Sequence, residues 1–296
     1  MRKTAVLAAA LLVGSLVPSS ASAWGLVAHR YIMSRAVDLL PAELKPFYER
    51  NRDEIVMRAT DPDLWRTVGW EEDPNHFVDF GSKEFGAYPF TALPREYGAA
   101  IEKFGMATLR RQGMLPWRTS ELFGDLRRTF EGVTRGSQYG QSDLILFSGA
   151  VGHYMQDAHQ PFHASINYDG QLTGNTGIHA RFERDLMEKF QSRLTVKPAP
   201  PKAILNPRDA AFDALLAGYL LVDAILAADT SAVAGRDAYD ADYFEKFFAA
   251  VRPILEQRLA ESITATAGVI IGAWEQAGRP ALSFAGARPI EKVKKP

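Results

Sequence analysis

The chain has 296 residues, no cysteine, and 34 Lys plus Arg against 35 Asp plus Glu. A chain so near charge balance exerts no global pull on nucleic acid or anionic membrane, so any such contact must be local. Without cysteine there is no disulfide scaffold, but this length can bury a core large enough for one domain.

The first 23 residues read as a signal peptide. Arg2 and Lys3 form a positive start, an apolar run too short to span a bilayer follows, and Ala21-Ser22-Ala23 is a small-x-small cleavage site. The mature protein is then expected to begin at Trp24 and to be exported, periplasmic or secreted. Losing Arg2 and Lys3 leaves 32 basic against 35 acidic residues, a net charge of −3. Residues 215–228 come closest to a second span but are interrupted by Gly218 and Asp223, so no transmembrane anchor is expected after cleavage.

Helical periodicity begins at once, with His29, Ile32, Met33, Ala36, Val37 and Leu40 on one stripe. A second helix is expected over 42–60, with Pro41 near its first turn and Pro62 breaking it after Asp61. Residues 64–94 hold no sustained period; rich in aromatics, Pro and Gly, they read as a long functional loop containing Asn75-His76-Phe77-Val78-Asp79. Helices are expected again over 95–112 and 120–134. A further helix starts near Ser142-Asp143 and presents Leu146, Ala150, His153 and Asp157 as one ridge before Pro161. After the stiff linker at Pro198-Ala199-Pro200-Pro201, amphipathic helices are expected over 209–228, 240–260 and 262–277. None of these last three contains histidine, so they read as core, and 288–296 as a disordered basic tail. The fold class is all-α, with one multi-helix domain over 24–287.

Four of the six histidines, His153, His159, His163 and His179, fall within residues 153–183. His153 and Asp157 are four apart, as are His179 and Glu183, a spacing that puts an imidazole and a carboxylate on one helix face. A single histidine on an apolar face is ordinarily a hydrogen-bonded core residue, and His159, between Asp157 and Pro161, is read so. The constellation of His153, Asp157, His163, His179 and Glu183 instead reads as a metal site. Imidazole and carboxylate without thiolate suit zinc, with iron and manganese also compatible, and favour an open catalytic site over a closed structural one. The reaction class this chemistry suggests is phosphoester hydrolysis.

From Trp24 to about Glu183 these ordered motifs resemble the zinc-dependent phospholipase C and single-strand-specific nuclease superfamily, an all-α fold around three zinc ions. The most specific feature is Trp24-Gly25 at the cleavage point, followed by His29. The resemblance implies one zinc held by Asp61, His76, His153 and Asp157, and a more exposed one by His163, His179 and Glu183. The third would be held by the α-amino nitrogen and carbonyl of Trp24, by His29, and by the other oxygen of Asp157. It further implies that Asp61 orients the attacking hydroxide, with Asp63, two residues on, as the alternative ligand.

The resemblance leaves two substrates open. Phe77 and Asp79 stand where the nucleases stack and hydrogen-bond a base. Glu183 is the carboxylate found in the phospholipases, although Val27 and Pro62 replace the Glu and Tyr of their choline site. The expected function is a phospholipase C-like phosphodiester hydrolase, with a single-strand-specific endonuclease or 3′-nucleotidase as the alternative and no stable protein partner implied. A reading from another class, a metal-binding protein with a spent active site, predicts a closed cluster.

Overall fold

The fold is built around one buried helix, α8 (Gly140–Asp157), whose residues from Ser148 to Asp157 are all buried. That C-terminal part has no exposed face, so it is enclosed by neighbours all round. Those neighbours are α7 (Leu115–Thr134), α13 (Ala241–Gln276), α3 (Arg52–Arg58) and α1 (Leu26–Asp38). The computed structural model describes residues 24–137 and 139–282. The expected signal peptide, the basic tail and residues 283–287 of the expected domain lie outside them. All regular elements among the described residues are helical, with no strand, and the fold is all-α.

Small residues on α8 let its neighbours come close. A Cβ on Gly149 would lie 2.5 Å from the Arg58 Cβ and 2.9 Å from the Ala59 nitrogen, so only glycine permits this approach at the end of α3. That approach brings the Ala59 carbonyl onto His153. Packing and site geometry are therefore fixed by the same contact.

Several expected boundaries move. The helix expected over 42–60 is two, α2 (Lys45–Arg50) and α3, interrupted at Asn51, whose side-chain amide donates to the Phe47 carbonyl at 2.8 Å. Pro62 does not end a helix. It sits in the first turn of α4 (Asp61–Thr67), where its missing N–H leaves nothing unsatisfied. With the 3-10 turn Asp73–His76, α4 orders the start of the expected loop. The segment 95–112 breaks at Gly105 (φ 74°) into α5 (Tyr97–Phe104) and α6 (Met106–Gln112). The next helix, α7, already begins at Leu115, with Pro116 in its first turn.

The C-terminal expectations err in both directions. Residues 207–233 form α11 (Pro207–Tyr219) and α12 (Val222–Val233), which meet at Leu220-Leu221. Contrary to the sequence expectation, Pro207–Val233 is long and apolar enough to cross a membrane by length and composition alone; in this fold α11 packs on α7 and α12 on α13. The two helices expected over 240–277 are one. The buried stripe Leu255, Leu259, Ser262, Ile263, Thr266 runs through the supposed break, giving α13 36 residues and a length of about 54 Å at 1.5 Å per residue. Asp240 caps its start by accepting from the Tyr243 N–H at 2.8 Å.

Candidate metal centre

Three elements deliver the first group of side chains. Within α8, His153 and Asp157 lie one turn apart and both are fully buried. From α1 comes His29, whose ring stacks on His153 with centroids 4.0 Å apart. The 3-10 turn brings His76, whose Nδ1 is 2.9 Å from Asp157 Oδ2 and 3.1 Å from His153 Nε2. The same Oδ2 lies 3.1 Å from His153 Nε2, while Asp157 Oδ1 faces His29 Nε2 at 3.4 Å. Asp157 thus offers one oxygen to His76 and His153 and the other to His29.

The structure corrects the acidic residue at this end. Asp61 turns outward and pairs with Arg58 at 3.1 Å. Asp63 turns inward, its oxygens 3.9 Å from His29 Nε2 and 4.0 Å from His76 Nδ1, with its side chain 5% exposed against 16% for Asp61. Both residues belong to α4, and a separation of two in a helix is about 200°, so only one of them can face the cluster. Asp63, His76 and His153 form one set able to hold a cation; His29, His153 and Asp157 form another.

The third set is His163, His179 and Glu183. His163 lies in a 3-10 turn (Pro161–Ala164), and His179 in the single turn α9 (Ile178–Ala180). Glu183 lies in the π turn Arg181–Asp185 that follows and runs into α10 (Leu186–Phe190). His179 Nε2 is 2.9 Å from Glu183 Oε2 and 3.2 Å from His163 Nε2. Glu183 is held from behind by the Gln160 side-chain amide, which donates to Oε2 at 2.8 Å.

Three of the imidazoles are oriented from outside. His153 Nδ1–H donates to Ala59 O at 2.8 Å, His163 to His76 O at 2.6 Å, and His179 to Tyr168 O at 3.1 Å. A carbonyl oxygen only accepts, so each of these rings carries its proton on Nδ1 in the neutral form and turns a bare Nε2 lone pair inward. His29 Nδ1 is 2.6 Å from Gln156 Oε1 in the same manner. The inward atoms His29 Nε2 and Asp157 Oδ1 have no hydrogen-bond partner. Lone pairs facing carboxylates across 3–4 Å with no donor between them fit a cation, and outer acceptors of this kind orient metal-ligating histidines. The donor sets therefore fit metal ions.

The same contacts shift the protonation of these groups. Burial pulls His153 down, but the charge and hydrogen bond of Asp157 push it up to about 9. Burial would raise Asp157, yet His153 and His163 hold it well below the usual carboxylate range. Burial keeps His163 well below, and His76 below, the ordinary imidazole value, and raises Glu183. His159, read as structural, is buried with Nδ1 donating to Met155 O at 2.7 Å; burial and nearby Arg258 bring it down to about 3.

The site opens into a cleft of about 470 Å³, with His76, His163 and His179 on its floor and Phe77, Asp79, Arg66, Arg111 and Tyr168 on its walls. Its Phe77 wall is stitched in place by Asp79 N–H to Gln112 O at 2.7 Å, Leu115 N–H to Phe77 O at 3.3 Å and Val78 N–H to His163 O at 2.8 Å. Gly113 (φ 102°) lies so close that a Cβ would meet the Phe77 carbonyl at 2.1 Å. Burial pushes the Asp79 carboxyl up to about 7. Both expected substrate residues, Phe77 and Asp79, therefore reach the cleft.

Trp24 is fully buried beside the first group, its Nε1–H donating to Gln156 O at 2.8 Å. Gln156 thus ties the first described residue to the His29 ring. The sequence reading missed Gln156, Gln160, Tyr168, Arg66 and Arg111. Gln156 and Gln160 flank Asp157 in sequence, a local signal that could have marked them. Tyr168 lies inside the 153–183 stretch and Arg66 one turn after Asp63, whereas Arg111 arrives on α6 with no local mark. No protein-family model and no curated protein matches this chain.

Proposed function

We propose that the chain is a zinc-dependent phosphodiester hydrolase of the phospholipase C type, with three zinc ions and a catalytic cleft at the three residue sets described above. The observation that carries this reading is the convergence of inward Nε2 lone pairs with Asp157, Asp63 and Glu183, next to a cleft that His76, His163 and His179 line together with Arg66 and Arg111. Bound zinc would supply Lewis acidity, polarising a phosphoryl oxygen and making water a nucleophile near neutral pH. Asp63, His76, His153 and Asp157 would hold one ion, His163, His179 and Glu183 a second. His29 with the other Asp157 oxygen would hold a third, completed by the Trp24 α-amino group once the preceding segment is removed.

The remaining work falls to the chain's own groups. Arg66 and Arg111 line the cleft where they can neutralise the non-reacting phosphate oxygens, and the guanidinium fork can donate to two oxygens of one phosphate. Asp63, in place of Asp61, is the carboxylate placed to accept a proton from attacking water. Phe77 and Tyr168 offer apolar wall to the rest of the substrate. A second reading, cleavage of single-stranded nucleic acid, is favoured by Phe77 and Asp79 on one wall: an aromatic to stack a base and a carboxyl that stays protonated to about 7 and so can donate to it.

Protein beginning at Trp24 should be assayed with and without zinc on phospholipid micelles, single-stranded DNA and RNA, and a chromogenic phosphodiester. Zinc-dependent cleavage of lipid and chromogen supports the first reading, and cleavage of nucleic acid alone replaces it with the second. Cleavage of none contradicts both. Retaining one extra residue before Trp24 should reduce zinc content by one equivalent; unchanged content and activity would remove Trp24 from the ligand set.

A further inference from the structure

The His163, His179 and Glu183 set is carried by short turns, yet it is nearly as buried as His153 and Asp157 on α8. What holds it lies behind it. Arg181, between His179 and Glu183 in sequence, points away from the cleft into the protein and is 5% exposed; its partner Asp229 on α12 is 1% exposed. Arg181 Nε and Nη2 donate to Asp229 at 3.1–3.2 Å, and Nε also to the Tyr243 hydroxyl at 3.0 Å. Arg181 Nη1 and Nη2 reach back to the carbonyls of Thr176 at 2.8 Å and Asn175 at 3.0 Å. Asp229 is filled in turn by the Asn175 amide at 2.7 Å and by the Tyr243 hydroxyl. The Tyr239 ring closes over the guanidinium, 4.0 Å from its carbon.

The loop so gripped is the one that aims His179. The Tyr168 carbonyl accepts from its Nδ1, and Asp169 Oδ1 from its backbone N–H at 3.3 Å. Gly177 N–H bonds back to Asp169 O at 3.1 Å, tying that end of the loop to the Arg181 end. The π turn beginning at Arg181 then places Glu183 with a wider i to i+5 hydrogen-bond pattern, a form found often at functional sites and not self-sustaining. A buried ion pair is a weak source of net stability, because desolvation offsets the attraction, but its many fixed hydrogen bonds define one geometry.

We propose that the Arg181–Asp229 pair, with Tyr243 and Asn175, is a positioning clamp that sets the cation affinity of the His163/His179/Glu183 set and leaves the Asp157-centred sets unaffected. Neither residue touches the cleft; they act through the loop and the π turn. The inference rests on the reading that this set holds a metal ion, and not on which phosphodiester is cleaved.

The test is zinc binding by chelator competition on full-length mature protein, comparing wild type, the double variant Arg181→Leu/Asp229→Leu, and Tyr243→Phe. The double variant removes both charges together, so neither is stranded in the core. It should weaken one zinc equivalent by about 10–100-fold, the size typical for losing an outer-shell support, while the other equivalents keep their affinity. Tyr243→Phe, which deletes one hydroxyl and keeps the ion pair, should weaken the same equivalent by a smaller factor and guards against a double variant that does not fold. Weakening of every equivalent in proportion to lost melting temperature, or of none, would overturn the clamp. Phosphodiester assays on the same preparations separate the two ideas: one selectively weakened equivalent without any hydrolysis in wild type sustains the clamp and sinks the hydrolase.

Discussion

The two halves of the candidate metal centre are built differently. The Asp157 half hangs on α8, a long helix whose last ten residues are all buried, so the spacing of its key pair, His153 and Asp157, is set by helical geometry. The His163, His179 and Glu183 half rides on a 3-10 turn, a single α turn and a π turn, and depends on contacts from α12 and α13 far along the chain. A buried helix carries its own register, whereas a chain of short turns takes its register from what it is tied to. Perturbations should therefore spread differently from the two halves.

The largest effect is expected from Asp157→Ala. It removes the carboxylate shared by His29, His76 and His153, so more than one zinc equivalent should vanish and hydrolysis should fall by at least ~10³-fold, about 4 kcal/mol of transition-state stabilisation. Zinc analysis beside kinetics checks this, and wild-type turnover would break the shared-carboxylate account. Glu183→Gln should be narrower, losing one equivalent and roughly 10²-fold in rate, about 2.7 kcal/mol, while the Asp157 half keeps its metal. Simultaneous loss from both halves would show that they are not separable.

Next in size is the contrast between Asp63 and Asp61. Asp63→Asn should lower zinc affinity and rate by roughly tenfold or more, about 1.4 kcal/mol. Asp61→Asn removes only a partly exposed pair with Arg58, an interaction of about 0–1 kcal/mol, and should leave both almost unchanged. The reverse pattern would restore Asp61 as the ligand.

An effect of another kind, on stability and not on rate or metal content, concerns Asp79. Burial raises its folded pKa from 3.8 to about 7, so between those values the folded state binds more protons than the unfolded one. Its contribution to stability therefore falls as pH rises from near 4 to near 7 and is level above. Asp79→Asn cannot titrate, so its melting temperature relative to wild type should be higher at pH 8 than at pH 4. A difference independent of pH would remove the raised carboxyl from the account.

What the sequence made legible follows the same division. The i, i+4 pairs His153/Asp157 and His179/Glu183 were readable because that spacing is local. The structural reading of His159 was legible too, from its place between Asp157 and Pro161. The resemblance favours Asp61 over Asp63 through its separation from His76 and the preceding Ala59-Thr60. Both residues lie in α4, and the roughly 200° between them, which a motif does not carry, decides which faces inward. The boundaries at Asn51 and Gly105 and the merger into α13 were set by packing, where a continuous buried stripe outweighs local propensity. Arg181 and Asp229, 48 residues apart, carry no local signal at all.

The central claim is that these residue sets hold metal, and a zinc-edge anomalous difference map of the mature protein tests it most directly. The account predicts one peak among His163, His179 and Glu183, further peaks on either side of Asp157, and none beside Asp61. A map with no peak at these residues, or with a peak bound by Asp61 in place of Asp63, would contradict it.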